Sequence, residues 1–371
     1  MKRDQLTTAK RVVIKVGSST LTGSAGSALD NSAVNSLVDL LAGLHAQGKE
    51  VVLVSSGAIA AGLAPLGLSS RPKDLATQQA AASVGQGLLI ASYTESFSRH
   101  KVVASQVLLT IEDVVRRSHY QNAQRTLFRL LALGVVPIIN ENDSVGTQEI
   151  RFGDNDRLAA LVSHLIGADL LVLVSDIDAL YDAPPSQAGA KRVAEVDSIK
   201  NLTDVEVGGV GASGVGSGGM VTKIEAARIS TGAGITMLLT SLPHVADAIA
   251  GKDVGTIFQP VHDRKPSRLL WLEHASTPRG RLILDAGATT AILERGVSLL
   301  PAGVTSVEGE FNGGDTVELV SEKGVVIARG LVSFDSDEIP QMLGKSTKDI
   351  AAALGSEYER ELVHRDDLVL L

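Results

Sequence analysis

The 371-residue sequence predicts a three-layer αβα sandwich on a mostly parallel sheet, followed by a small mixed, β-rich domain. Three observations carry this. Short all-apolar runs alternate with longer runs of helical periodicity, the pattern of repeated βαβ units. Several of the apolar runs end in small or acidic residues, and right-handed crossovers line such ends along one edge of a sheet. The texture then changes: residues 259–281 hold three prolines, several basic residues and the one tryptophan, Trp271. Short strands with Gly turns begin at Gly280. The expected boundaries are 9–260 for the sandwich, 261–279 for a linker and 280–360 for the second domain, a usual domain size.

Composition narrows the function classes. Aromatics are only 3% of the chain, so the cores must be built from Ala, Val, Leu and Ile, which suits parallel sheets covered by helices. A net charge of −8 argues against a general nucleic-acid or membrane-surface binder. With no cysteine, disulfides and thiolate metal sites are excluded. The opening MKRDQLTTAKR has no apolar core of a signal peptide, and no apolar run approaches the ~18 residues of a membrane span. A cytoplasmic protein is expected. The eight histidines are scattered without HxxxH spacing, so no transition-metal site is expected.

Val12–Val16 reads as a buried strand carrying one lysine, Lys15, and ending in Gly17, Ser18, Ser19 and Thr20. A lysine in an apolar run must snorkel or meet an anion, and small residues after the strand let backbone N–H groups approach a phosphate. Asn31–Gln47 has helical spacing of Val34, Leu37, Val38, Leu41 and Leu44. Val51–Val54 is a strand ending in Ser55, Ser56 and Gly57. Asp74–Arg99 is a long Ala-rich helix in which Gly85 and Gly87 are expected to permit close packing. Val102–Leu108 is a strand, Ser118–Leu133 a helix stopped by Gly134, and Asp169–Val174 a further strand followed by Ser175 and Asp176. Ile235–Leu239 and Thr256–Phe258 complete the strands of the first domain.

The stretch from Asn140 to Ser163 organises the whole. The apolar run VVPII leads into Asn140, Glu141, Asn142 and Asp143; a Gly-containing loop leads into Asp154, Asn155 and Asp156; an amphipathic helix follows. Two polar clusters therefore stand at one strand end, where open α/β sheets bind ligands. Turn and cap chemistry accounts for any one of these residues but poorly for all seven together.

Residues 208–219 are glycine-rich and contain two GxGxxG windows, GVGASG and GVGSGG. Neither follows an apolar strand with an acidic residue after the next one, so a dinucleotide fingerprint is rejected. LGKST at 343–347 has Ile339 where a phosphate-binding loop needs Gly, and is rejected too. What remains is a glycine loop running into a helix that carries Lys223 in its first turns, an arrangement suited to anions.

VIKVGSST, VLVSSGAIAAG, QAAASVGQ, PIINENDSV followed by FGDND, LLVLVSDIDALYD and SGGMVTK occur in this order. Together they resemble the amino acid kinase family, over roughly residues 9–260, and within it the branch that phosphorylates L-glutamate. GRLILDAGATTAILERGVSLLPAGV resembles the PUA domain that many of its bacterial members carry. The resemblance implies ATP-dependent phosphorylation of the side-chain carboxylate of L-glutamate, the first step towards proline, with Mg2+ assumed and L-proline as feedback inhibitor. It places glutamate contacts on Ser55, Asp143 and Asn155. It places ATP contacts on Lys15, Ser175, Asp176 and the loop Ser217, Gly218, Gly219, Met220, Val221, Thr222 and Lys223. A homo-oligomer, a dimer or tetramer, is expected.

The chemistry agrees. A carboxylate nucleophile is already ionised at neutral pH and needs no general base. The barrier is an anion attacking a polyanion, so positioning and charge stabilisation must supply the catalysis. Lys15 and Lys223 are the candidate stabilisers, Asp143 the candidate partner of an ammonium, and Asp156 either orients a lysine or holds the metal. Two other readings stay open. One is a sister kinase acting on N-acetylglutamate, aspartate, carbamate or a nucleotide. The other is an RNA-associated protein, suggested by the second domain; residues 281–371, with 8 Lys+Arg against 16 Asp+Glu, lack the basic footprint this needs.

Overall fold

The computed structural model describes residues 2–22, 28–115, 117–145, 155–185, 187, 189–199, 219–260, 272, 278–355 and 358–371. The chain divides into two compact units, Met1–Arg264 and Lys265–Leu371.

In the first unit an eight-stranded sheet has the order β3-β4-β2-β1-β5-β9-β10-β8. Its strands are β1 (Arg11–Val16), β2 (Glu50–Ser55), β3 (Ala104–Leu109), β4 (Val136–Glu141), β5 (Leu170–Ser175), β8 (Glu195–Val196), β9 (Thr236–Ser241) and β10 (Thr256–Phe258). From β3 through β9 every pairing is parallel, and β10 runs antiparallel to β9. Strands β4 and β5 are buried along their whole length; their apolar parts read as strands in the sequence, and β4 carries on through the buried Asn140 and Glu141. Two features were not legible in the sequence: β8, and the hairpin of β6 (Leu180–Tyr181) with β7 (Arg192–Val193). Two-residue strands are too short to show an alternation.

The helices follow the sequence periodicity. Helix α2 (Asn31–Ala46) is capped by Asp30, whose carboxylate accepts the Ser32 and Ala33 N–H groups, and it buries Val34, Leu37, Val38, Leu41 and Leu44. Helix α4 (Leu75–Ser98) is capped by Asp74 through the Thr77 N–H. Gly85 lets α4 press against the preceding helix α3 (Ala58–Leu63): a Cβ on Gly85 would collide with the Ala58 carbonyl, and one on Gly62 with the Ala81 carbonyl. Gly87 does not share this role. A Cβ there meets nothing within 4 Å, because Gly87 faces the cleft described below.

The remaining helices of this unit include α5 (Ile111–Val115), α6 (Arg117–Ala132), α7 (Asn155–Leu165), α8 (Met220–Gly232) and α9 (Val245–Ile249), with α1 (Ser18–Leu21) a single turn after β1. A mainly aliphatic core, with Leu37, Leu41, Leu53, Leu89, Tyr93 and Phe97 among its larger members, packs on the sheet.

The second unit is a five-stranded sheet of order β12-β11-β13-β14-β15, from β11 (Gly280–Leu284), β12 (Val304–Gly309), β13 (Thr316–Ser321), β14 (Val326–Val332) and β15 (Val363–Leu370). Helices α10 (Ala286–Arg295) and α11 (Thr347–Leu354) belong to it. β15 pairs antiparallel with β14, so the domain continues to the chain end, beyond the expected limit at 360. Its sequence VHRDDLVL carries four consecutive polar residues, His364 to Asp367, which hid the strand. The expected linker 261–279 lies mostly outside the described residues.

Candidate active site

The carboxyl ends of β1, β2, β4 and β5 lie side by side, because these strands are parallel and in register. Lys15 stands opposite Val54 on one side and Leu173 on the other; Val16 stands opposite Ser55. The loops and helices that follow these ends build two connected polar clusters.

The first cluster centres on Asp156. It sits in the first turn of α7, only 2% exposed. Its Oδ1 lies 2.7 Å from Lys15 Nζ and its Oδ2 lies 3.3 Å from Lys223 Nζ. The Thr222 hydroxyl donates to Oδ2 at 2.8 Å. Lys15 comes from β1 and Lys223 from the first turns of α8, and both are buried. Burial alone would push the Asp156 carboxyl up, but the two lysines outweigh it and hold it well below the usual range. Two cations on one anion leave the cluster with net positive charge in a low-dielectric setting, ready for a polyanion. Asp156 is thus committed to the lysines. Among the described residues no group of three acidic or histidine side chains stands together as a metal site.

Glycines stand close to both lysines along the chain. Gly17, after β1, has no side chain, and a Cβ there would touch Lys15 Nζ at 3.7 Å. Helix α8 begins at Gly219, which offers no side-chain cap, so its first-turn N–H groups lack that partner. Met220 and Thr222 are half-buried in this turn, and Val221 points outward, 65% exposed. Ser175 ends β5 and donates to the Asp176 carboxylate at 2.9 Å, with Asp176 itself exposed. Ser217 and Gly218 lie outside the described residues.

The second cluster is a chain of carboxamides. Asn155, beside Asp156, donates its Nδ2 to Ser56 Oγ at 2.8 Å, to Asn140 Oδ1 at 3.2 Å and to the Ser55 carbonyl at 3.3 Å. Asn140, at the end of β4, accepts the Glu141 N–H at 2.9 Å and donates its Nδ2 to Gln86 Oε1 on α4 at 2.7 Å. Among the described residues Asn155 Oδ1 is buried without a hydrogen-bond partner. The chain ends on a cleft of about 230 Å³ lined by Gln86, Gly87, Gln106, Glu141, Asn142 and Asp143, among others. Burial pushes the Asp143 carboxyl up to about 6, with Arg71 opposing.

One expected contact is corrected here. The Ser55 side chain belongs to the core, not the site. It is fully buried, its hydroxyl donates to the Ser56 carbonyl at 3.0 Å and bonds the buried Tyr93 hydroxyl at 2.8 Å. Its neighbour Ser56 presents the hydroxyl that meets Asn155. The period of a strand explains this: adjacent side chains leave a sheet on opposite faces. Sequence reasoning also missed Gln86 and Tyr93. Gln86 had a legible signal, since it sits between two glycines, Gly85 and Gly87, in an Ala-rich helix.

Comparison with known proteins agrees with this geometry. The model of the amino acid kinase family matches residues 10–241, and that of the PUA domain matches residues 280–354. The chain is 62% identical over 370 residues to a protein of Streptomyces avermitilis named glutamate 5-kinase, covering 100% of this chain and 98% of that protein. It is 60% identical over 369 residues to the protein of that name from Salinispora arenicola, covering 100% of each. It is 60% identical over 363 residues to that of Streptomyces coelicolor, covering 98% of this chain and 97% of that one. With a buried lysine–aspartate–lysine cluster at the ends of a parallel sheet, and likeness to these relatives along its whole length, the chain belongs to the amino acid kinase family and carries a PUA domain at its C-terminal end.

Proposed function

We propose that the protein transfers the γ-phosphoryl group of ATP to the side-chain carboxylate of L-glutamate, giving L-glutamyl 5-phosphate, the first step towards proline. The reading is supported by the name its full-length relatives bear. The single structural observation that carries it is Asp156 held between Lys15 and Lys223.

The reaction needs little from acid–base chemistry, since the attacking carboxylate is ionised at neutral pH. It needs charge stabilisation in a dry site. Lys15 and Lys223 stabilise the equatorial oxygens of the transferring phosphoryl group from two elements, β1 and α8. Asp156 fixes both ammonium groups and is a positioning residue. The N–H groups at the start of α8, with Gly219, Met220, Val221, Thr222 and the preceding Ser217 and Gly218, cradle the phosphates. Ser175 and Asp176 contact the nucleotide at the end of β5. Magnesium, if carried in with ATP, would add positive charge where the phosphates crowd.

Glutamate occupies the cleft beside the carboxamide chain. Asp143 pairs with its ammonium, and Ser56 and Asn155 take the role expected of Ser55 and Asn155. A substrate without a free ammonium, such as N-acetylglutamate, would leave Asp143 buried and unpaired, which disfavours the sister reading. L-Proline carries the same α-carboxylate and a secondary ammonium, so the same pocket accepts it without offering a nucleophile.

Trapping the acyl phosphate with hydroxylamine tests the assignment. Hydroxamate should form only with both glutamate and ATP present. Equal turnover of N-acetylglutamate, or none with glutamate, refutes it.

A further inference from the structure

The polarity of the carboxamide chain is fixed by two backbone groups, and this has a consequence for substrate recognition. The Glu141 N–H can only donate, so the Asn140 atom facing it is Oδ1. The Asn140 atom facing Gln86 is therefore Nδ2, and the Gln86 atom that receives it is Oε1, at 2.7 Å. At the other end the Ser55 carbonyl can only accept, so Asn155 turns its Nδ2 inward to Ser55 and Asn140. The two assignments agree independently. Gln86 is consequently held with its Nε2 amide pointing away from Asn140. Among the described residues that amide has no protein partner, and Gln86 lines the cleft that also holds Asp143.

We propose that Gln86 Nε2 is the donor that reads the α-carboxylate of the amino acid substrate, making Gln86 a specificity residue. This rests on the glutamate reading above. The order of the chain selects which carboxylate is meant. Asn155 adjoins Asp156 and the lysines, where the reacting side-chain carboxylate must lie. Gln86 is at the opposite end of the chain, with Asn140 between, on the Asp143 side. A pocket with a carboxylate for the ammonium and an amide donor for the α-carboxylate reads a free α-amino acid. Replacing one acceptor by an amide group on the substrate would confront the Gln86 N–H groups with a donor.

The test compares wild type with Gln86→Glu and Gln86→Leu, using hydroxamate formation with L-glutamate and inhibition by its α-amide, in which the α-carboxylate is a carboxamide. Gln86→Glu presents a carboxylate in place of the amide. It should raise KM for glutamate at least tenfold while kcat and KM for ATP stay within twofold. The α-amide should bind this variant as well as or better than wild type. Gln86→Leu should weaken glutamate at least fivefold and narrow the ratio of glutamate to α-amide affinity. Unchanged KM for glutamate in both variants overturns the proposal. So does equal weakening of glutamate and α-amide, which marks a merely structural role. A wild-type protein that makes no hydroxamate from glutamate refutes the glutamate reading itself, a result distinct from either.

Discussion

Asp156 carries two ammonium groups on one carboxylate, and the consequences run in opposite directions for stability and chemistry. Its carboxyl is depressed in the folded state, so the stability it contributes is present above its unfolded value and lost only as pH falls below that. Asp156→Asn should leave two buried cations without an anion and cost about 3–5 kcal/mol. A lowered Tm, partly recovered by ATP, checks this. Lys15→Met and Lys223→Met should each lower kcat by about a hundredfold or more, the scale of one lost charge stabiliser; near-normal turnover would remove that lysine from the mechanism. Asp143 has the reverse sign. Its folded value, about 6, lies above that of an ordinary aspartate, near 3.8, so ionising it costs folding as pH rises between the two. Asp143→Asn should therefore stabilise the unliganded protein at pH 8, by on the order of 1–3 kcal/mol, and have little effect near pH 4. The same substitution should raise KM for glutamate about ten- to a hundredfold, the loss of one charge-assisted contact. In wild type, KM for glutamate should climb as pH falls through 6, where Asp143 protonates; a flat profile in melting and kinetics would contradict the assignment.

At the scale of elements, the contact of α3 with α4 decides where Gln86 stands. Gly62 and Gly85 allow each helix to approach the other's carbonyls, and Gln86 follows directly after Gly85. Gly85→Ala should be destabilising by at least the ~1–3 kcal/mol of an overpacked core, since backbone rather than a flexible side chain obstructs the methyl. Gly87→Ala meets open space and should gain up to ~1 kcal/mol of helix propensity. Thermal melts of the two variants check the contrast. Equal Tm changes would mean the helices are not so closely packed.

At the scale of the molecule, the two units each have their own core and their own sheet. Every proposed phosphate and glutamate contact precedes residue 224. A chain ending at residue 279 should therefore keep kcat within a few-fold, measured by hydroxamate formation; a folded, inactive truncation would assign chemistry to the second unit. Proline inhibition should be relieved by glutamate and persist in the truncated chain. Inhibition that no glutamate concentration relieves, and that vanishes on truncation, would place the proline site elsewhere.

The sequence by itself determined the longer strands and helices of the first unit, because apolar runs and helical periods are local and long, but not its two-residue strands or its shortest helices. β4 and α7 were legible in this way, and so was the pairing of polar clusters at Asn140 and Asn155. It also left Lys15 two choices, to snorkel or to meet an anion, since a lysine in a buried strand must do one or the other; that it meets one, and the anion's identity, are tertiary facts. Asp156 and Lys223 are far from Lys15 along the chain, and only the parallel order of β1 beside β5, with α7 and α8 above their ends, brings the three charges together. The choice between Ser55 and Ser56 was likewise closed to sequence, because two equal residues at a strand end differ only in which face they take. The orientation of Gln86 depended on a backbone N–H 55 residues away in the chain, a direction that no local pattern encodes.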